Sequence, residues 1–113
     1  MDEMEQIVFS LITNSGAARS YAFEALDEAL SGKYEGAVDL MQKSRVEISN
    51  AHKIQTSLIQ NEAAGNKTEV SLLLVHAQDH LMTSILAKDL IEKMIEMQNT
   101  IVKLEQKIIS NKI

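Results

Sequence analysis

Leu72-Leu73-Leu74-Val75-His76-Ala77-Gln78-Asp79-His80-Leu81-Met82 opens the apolar pattern on which the fold turns. One stripe reads Leu72, Val75, Asp79, Met82, Leu86, Leu90, Met94, Met97, Ile101, Leu104 and Ile108, with steps of three and four throughout. That spacing keeps side chains on one face of a helix and is the seam of a coiled coil. At about 100° per residue, Leu74, Leu81, Ile85, Ile91 and Ile95 fall on a different side. A helix apolar on two sides needs more partners than one small bundle supplies. Either one side packs on the rest of the chain and the other on copies of the same helix, or both sides form one broad core stripe.

Working back towards the N-terminus, Met4, Val8, Leu11, Ser15, Ala18, Ala22, Leu26 and Ala29 describe another single helical face. Asn14-Ser15-Gly16 falls inside this run, but the period continues in phase past it, so it reads as a weak point and not an end. Ser31-Gly32 is the stop, with Gly32 suited to a left-handed C-terminal position. A second helix is expected from about Tyr34 to about Glu62, carried by Ala37, Leu40, Met41, Val46 (or Ser44), Ile48, Ala51, Ile54, Leu58 and Ile59. The link is so short that helices one and two must be antiparallel neighbours. Ala64-Gly65-Asn66-Lys67 is the next break, with Thr68 as the expected N-cap before Glu69. The third helix then runs towards Ile113, with Lys103, Lys107 and Lys112 suited to its C-terminal end. The fold class is therefore all-α: an antiparallel three-helix up-down bundle with two short turns, one domain over residues 1–113.

Composition agrees. There is no proline, and four glycines among 113 residues permit long helices almost everywhere. Apolar residues are 45% of the chain, within the range of soluble globular domains. Zero cysteines exclude a disulfide framework, a thiolate zinc site and a cysteine nucleophile. The net charge of −5 argues against generic binding of nucleic acid or anionic membranes. The start, Met1-Asp2-Glu3-Met4-Glu5, lacks a basic segment followed by an apolar block, and the apolar run Leu72–Val75 is far too short to span a bilayer. A soluble cytoplasmic protein is the expectation.

Asp79 interrupts the seam where an apolar side chain belongs. An unpaired buried carboxylate costs several kcal/mol, so it must be exposed, paired, protonated or bound to a metal. If the seam joins copies of the chain, several Asp79 carboxylates converge, and a divalent cation with oxygen ligands, Mg2+ or Ca2+, would offset their repulsion. His76 lies one turn earlier and about 60° around the helix, at the flank of the seam. A histidine there is shielded on one side and open on the other, which suits phosphoryl acceptance by a neutral ring. Transfer then needs mostly positioning and charge stabilisation; Gln78 and Thr83 are candidate donors. His80 follows at a metal-pair spacing, but Ala77 stands where the metalloprotease motif requires glutamate, so His80 reads as a supporting or interface residue. His52 carries less.

The stretch Leu72 to Met82, with His76-Ala-Gln-Asp79-His80-Leu-Met82 at its centre, resembles the lactose/cellobiose-specific enzyme IIA family of the bacterial phosphotransferase system. Ser15-Gly-Ala-Ala-Arg-Ser20, Gly32-Lys-Tyr34, Ala51-His-Lys-Ile-Gln-Thr56 and Glu62-Ala-Ala-Gly65 resemble further segments of that family in order and spacing. The likeness covers roughly residues 4 to 98. It implies a homotrimer of three-helix bundles. It implies that His76 takes a phosphoryl group on its tele nitrogen from HPr and donates it to a cysteine of enzyme IIB, working with a membrane enzyme IIC. It implies that Asp79 meets its symmetry mates at the trimer axis, where a divalent metal can bind, and that Gln78 and His80 support the pocket. Lactose, cellobiose and chitobiose all lie within the family's range of sugars. Ala17 and Ala77 depart from some relatives without removing a group that the transfer needs.

Two other classes stand beside this one. A helical scaffold without chemistry would fit the pattern, and Ala25-Leu-x-x-Ala29 with Gly32-x-Tyr34-x-x-Ala37 resembles peptide-binding tetratricopeptide-like helix pairs, although no 34-residue repeat recurs. A metal-dependent enzyme built on His76, Asp79 and His80 is the other.

Overall fold

The computed structural model describes residues 2–111 and contains three helices: α1 (Glu3–Leu30), α2 (Tyr34–Ala63) and α3 (Leu72–Asn111). Among the described residues there is no strand. The expected bundle is therefore present. α1 packs along both other helices, whereas α2 and α3 meet over a shorter stretch.

Each helix end has a local cause. Asp2 caps α1, its carboxylate accepting from the Glu5 amide at 2.8 Å, with Glu3 and Glu5 in the first turn favoured by the helix dipole. At the other end Gly32 takes φ +79°, and the amides of Gly32 and Lys33 return to the carbonyls of Ala29 and Glu28. α2 closes the same way: Gly65 sits at φ +96°, with Gly65 and Asn66 donating to Glu62 and Asn61. Both are six-residue glycine caps that satisfy the otherwise orphaned carbonyls.

The second connection differs from expectation. It is no short turn but runs over residues 64–71, and α3 starts at Leu72. Ser71, not Thr68, is the cap: its Oγ accepts from the Leu74 amide at 3.1 Å and its carbonyl from Val75. Thr68-Glu69 resembles a helix start in sequence, but Ser71 can bond the amide three residues on, directly before the apolar run. At the other end Lys103 and Lys107 are exposed one to two turns before Asn111, and Lys112 lies outside the described residues.

The core has two apolar clusters. One gathers Val8, Leu11, Ala51, Leu74, Ala77 and Leu81; the other gathers Ala22, Ala25, Ala29, Ala37, Met41, Ile91 and Ile95. Leu11 and Leu81 are wholly buried, each contributing roughly 2 kcal/mol of transfer free energy. Between the clusters each helix supplies one fully buried serine: Ser15, Ser44 and Ser84. Ser44 Oγ donates to the Ala18 carbonyl at 2.7 Å, which explains why Ser44 and not the exposed Val46 occupies the inner position of α2. Ile59, expected on the inner face, is exposed, because its neighbour Leu58 is the side chain that packs against the core at this level of α2. Alanines and serines at the waist let the helix axes approach closely, so packing comes from backbone proximity more than from large side chains.

The two sides of α3 are resolved in favour of separate roles. Leu74, Leu81, Ile91 and Ile95 are buried against α1 and α2, with Ile85 partly so. The seam faces outward along the whole helix: from Val75 to Ile108 its apolar members are 45–64% exposed, and Leu72 is 87% exposed.

Candidate functional site

The site is assembled where α3 crosses the middle of α1. His76 and His80 lie one turn apart on α3, which brings side chains four residues apart onto one face. Their rings stack with centroids 6.2 Å apart and an interplanar angle of 13°. His76 is exposed and His80 half-buried. Helix α1 explains the difference. A Cβ placed on Gly16 would lie 3.4 Å from His80 Nε2, so the missing side chain is what lets α1 come up against this ring. The glycine that reads as a weak point in α1 therefore has a packing role, and α1 continues through it without interruption.

Electrostatics distinguish the two histidines. The pKa of His80 is lowered, first by desolvation, then by the positive charge of Arg19 and by His76, with Asp79 opposing. Arg19 is one turn after Gly16 on α1, so one stretch of α1 gives His80 both its room and its neighbouring charge. A lowered pKa keeps His80 neutral at pH 7, able to offer one N–H and one lone pair beside His76.

Gln78 does not face His76. Its side-chain carbonyl accepts from Gln55 Nε2 of α2 at 2.7 Å, and the same nitrogen is 3.5 Å from Met82 sulfur. Two positions along a helix turn a side chain by about 200°, so Gln78 serves the α2–α3 contact within one chain. Thr83 is also withdrawn as a donor to His76. Its hydroxyl donates within its own helix, to the carbonyls of Asp79 and His80 at 3.0 and 3.2 Å. This is the back-bonding open to any mid-helix threonine.

Asp79 is exposed on the seam. It borders a shallow apolar groove with Val70, Leu74, Val75, Gln78 and Met82. Among the described residues no three His, Cys, Asp or Glu side chains come together to hold a metal ion. The residues of one chain therefore do not form the His76–Asp79–His80 metal centre considered above: His80 is turned to α1 and stacked on His76. His52 is exposed on α2.

Sequence reasoning passed over Gly16, Arg19 and Gln55 as site residues. Each lies in a segment that carried the family resemblance, and that was the available signal. No helix among the described residues is long and apolar enough to cross a membrane.

Residues 6–99 match the family model described as the lactose/cellobiose-specific IIA subunit of the PTS system. The chain is 50% identical over 100 residues to the lichenan-specific phosphotransferase enzyme IIA component of Bacillus subtilis, covering 88% of this chain and 91% of that protein. The crystal structure of the PTS cellobiose-specific enzyme IIA from Bacillus anthracis superposes with a TM-score of 0.86 at 51% identity, covering 95% of both chains. A solution structure of the chitobiose IIA–HPr complex from Escherichia coli gives a TM-score of 0.77 at 46% identity, covering 89% of this chain and 98% of that one.

Proposed function

The chain belongs to the lactose/cellobiose-specific IIA family of the sugar phosphotransferase system, and from that membership we propose that it is a phosphocarrier in which His76 holds the phosphoryl group. The observation that carries the reading is an exposed imidazole at the flank of an uncovered apolar seam, stacked on a second imidazole that α1 keeps neutral. One side of His76 is open to a partner. The other is fixed.

The reaction is two in-line displacements. The tele nitrogen of neutral His76 attacks the phosphorus of phosphorylated HPr; a P–N bond forms to His76 as the bond to the donor histidine breaks, and that histidine leaves neutral. A thiolate of the IIB partner then attacks the same phosphorus, and His76 departs as a neutral ring. The phosphoryl oxygens carry the charge in both steps, and neutral His80, stacked beside the His76 ring, offers a side-chain N–H towards them. Support for HPr as the donor comes from the relative solved in complex with HPr. Relatives named for lichenan, cellobiose and chitobiose leave the sugar open.

The seam on α3 supports a homotrimer with three copies of α3 at its centre. Their Asp79 carboxylates would meet on the axis, and a divalent cation held by one oxygen donor from each chain would offset the repulsion. Such an ion has a structural role and stands outside the transfer.

The test is to mix the protein with phosphorylated HPr and locate the acid-labile phosphate by residue. Label on His76, lost in folded His76→Ala, is the expected result. Label on another residue, or unchanged labelling of the folded variant, refutes the carrier reading.

A further inference from the structure

One charged side chain beside the histidine pair has no partner. Arg19 is exposed, and among the described residues its guanidinium makes no hydrogen bond or ion pair. Arg45, the other arginine of the chain, is held by Gln42 and Glu92. We propose that Arg19 is a catalytic residue, its guanidinium gripping the oxygens of the phosphoryl group that His76 carries. The proposal deepens the carrier reading of His76 and rests on it.

Helix geometry sets this guanidinium on the correct side of the rings. Leu11 shares a cluster with Leu74 and Leu81, and Ala22 and Ala29 share the next with Ile91 and Ile95, so α1 and α3 run in the same direction. Helical side chains tilt towards the N-terminus of their own helix. Arg19 stands one turn beyond Gly16, which lies against His80 Nε2, so its long stem leads back to the level of the two rings. After desolvation, its positive charge is the largest cause of the lowered His80 pKa. Around α3, His80 is turned from His76 by about 40° towards α1, and Asp79 by about 60° the opposite way, towards the seam. A phosphoryl group on His76 meets the Asp79 carboxylate on one flank and Arg19 on the other.

That placement answers a charge problem. A phosphoryl group brings about two negative charges, and it loses much of its water once a partner protein covers the site. His80 supplies a neutral N–H, and the Asp79 carboxylate repels. The planar fork of arginine fits two phosphoryl oxygens at once and keeps its charge at any working pH. In both displacements the bonds to phosphorus form and break as described above. Arg19 makes no covalent bond and gives up no proton. Its hydrogen bonds hold the equatorial oxygens while phosphorus passes between donor and acceptor.

The experiment compares the parent with Arg19→Gln and Arg19→Lys. An exposed side chain without a partner can be exchanged with little effect on folding, which urea midpoints check. The parent is first mixed with phosphorylated HPr, and the phosphate is located by residue. No label on His76 overturns the carrier reading and this one with it. With His76 labelled, Arg19→Gln is expected to transfer about a hundredfold more slowly at saturating donor, with KM within about twofold of the parent's. Arg19→Lys should recover part of the rate, because lysine returns the charge without the fork. NMR of the phosphorylated parent, freed of HPr, gives a reading that decides even if a variant fails to fold: the Arg19 Nε–H signal is expected to shift and to exchange more slowly. A raised KM with an unchanged maximal rate overturns the proposal in favour of a contact with the donor protein. Unchanged kinetics in Arg19→Gln, or an Arg19 signal indifferent to phosphorylation, overturns it and leaves His76 as the carrier.

Discussion

The imidazole of His80 lies parallel to that of His76, centroids 6.2 Å apart, and its Nε2 rests against the backbone of α1 at Gly16. The contact makes α1 part of the site although Gly16 contributes no group to the chemistry. A glycine in mid-helix costs about 1 kcal/mol relative to alanine, and here that cost secures the position of a ring.

Gly16→Ala tests this division. The added Cβ meets His80 Nε2 at 3.4 Å, so the ring must yield by a few tenths of an ångström. Helix propensity gains up to about 1 kcal/mol, and the crowding offsets part of it. Global stability by urea titration is expected within about 1 kcal/mol of the parent. Transfer from phosphorylated HPr is expected to slow by about tenfold, because small misplacements near reacting atoms are magnified in rate. An unchanged rate, with unchanged His80 NMR shifts, would show that the ring does not depend on Gly16.

The lowered pKa of His80 has a pH consequence of definite sign. Unfolded, the ring takes a proton as pH falls through about 6.5; folded, it does so only at lower pH. Between those values the unfolded chain binds more protons, so stability rises with pH there. The contribution is fully present above pH 6.5 and is lost as pH falls through the folded value. His80→Gln has no proton to gain. Subtracting its urea stability from the parent's at pH 7.5 and at pH 5 is expected to give a smaller difference at pH 5. A difference that grows on acidification contradicts the assignment.

How much of this was legible in the sequence depended on the range of the interaction. The three helices, the glycine stops at Gly32 and Gly65 and the two sides of α3 follow from spacing alone, because periodicity reports which residues share a face. Ser44 against Val46 was ambiguous because both positions satisfy the period, and only the distance to the Ala18 carbonyl decides between them. Thr68 was mistaken for the cap because capping depends on which hydroxyl reaches an amide, and Ser71 does. Spacing set His76 beside the seam but left an ordinary surface histidine open, and it was the family resemblance that singled it out. The Gly16–His80 approach and the Gln55–Gln78 pair could not be read from spacing, since each joins residues far apart in sequence.

The serine belt gives opposed predictions for two chemically identical changes. Ser44→Ala removes a buried hydrogen bond of 2.7 Å to the Ala18 carbonyl and is expected to destabilise by about 1 kcal/mol. Ser84 Oγ is buried with no hydrogen-bond partner among the described residues. Ser84→Ala removes that unsatisfied hydroxyl and improves helix propensity, so it is expected to be neutral or to stabilise by about 1 kcal/mol. Urea denaturation of both variants checks the pair. Equal losses would mean that Ser84 has a partner after all, such as an internal water.

Asp79→Leu separates a single chain from an assembly by the sign of its effect. In an isolated chain the change replaces one exposed carboxylate with one exposed leucine, and surface changes of this kind stay within about 0.5 kcal/mol. If three copies meet along the seam, it replaces three converging charges with an apolar ring, and exchanges of buried charge for packed apolar groups often stabilise by about 1–4 kcal/mol. The expected result is a melting temperature that rises with protein concentration and exceeds the parent's. A chelator should lower the melting temperature of the parent alone, because leucine offers no ligand to an ion. A parent melt that ignores chelator counts against the ion but not the trimer. A variant that melts at the parent temperature at every concentration would mean that the carboxylates never converge, and the seam would have to face something other than its own copies.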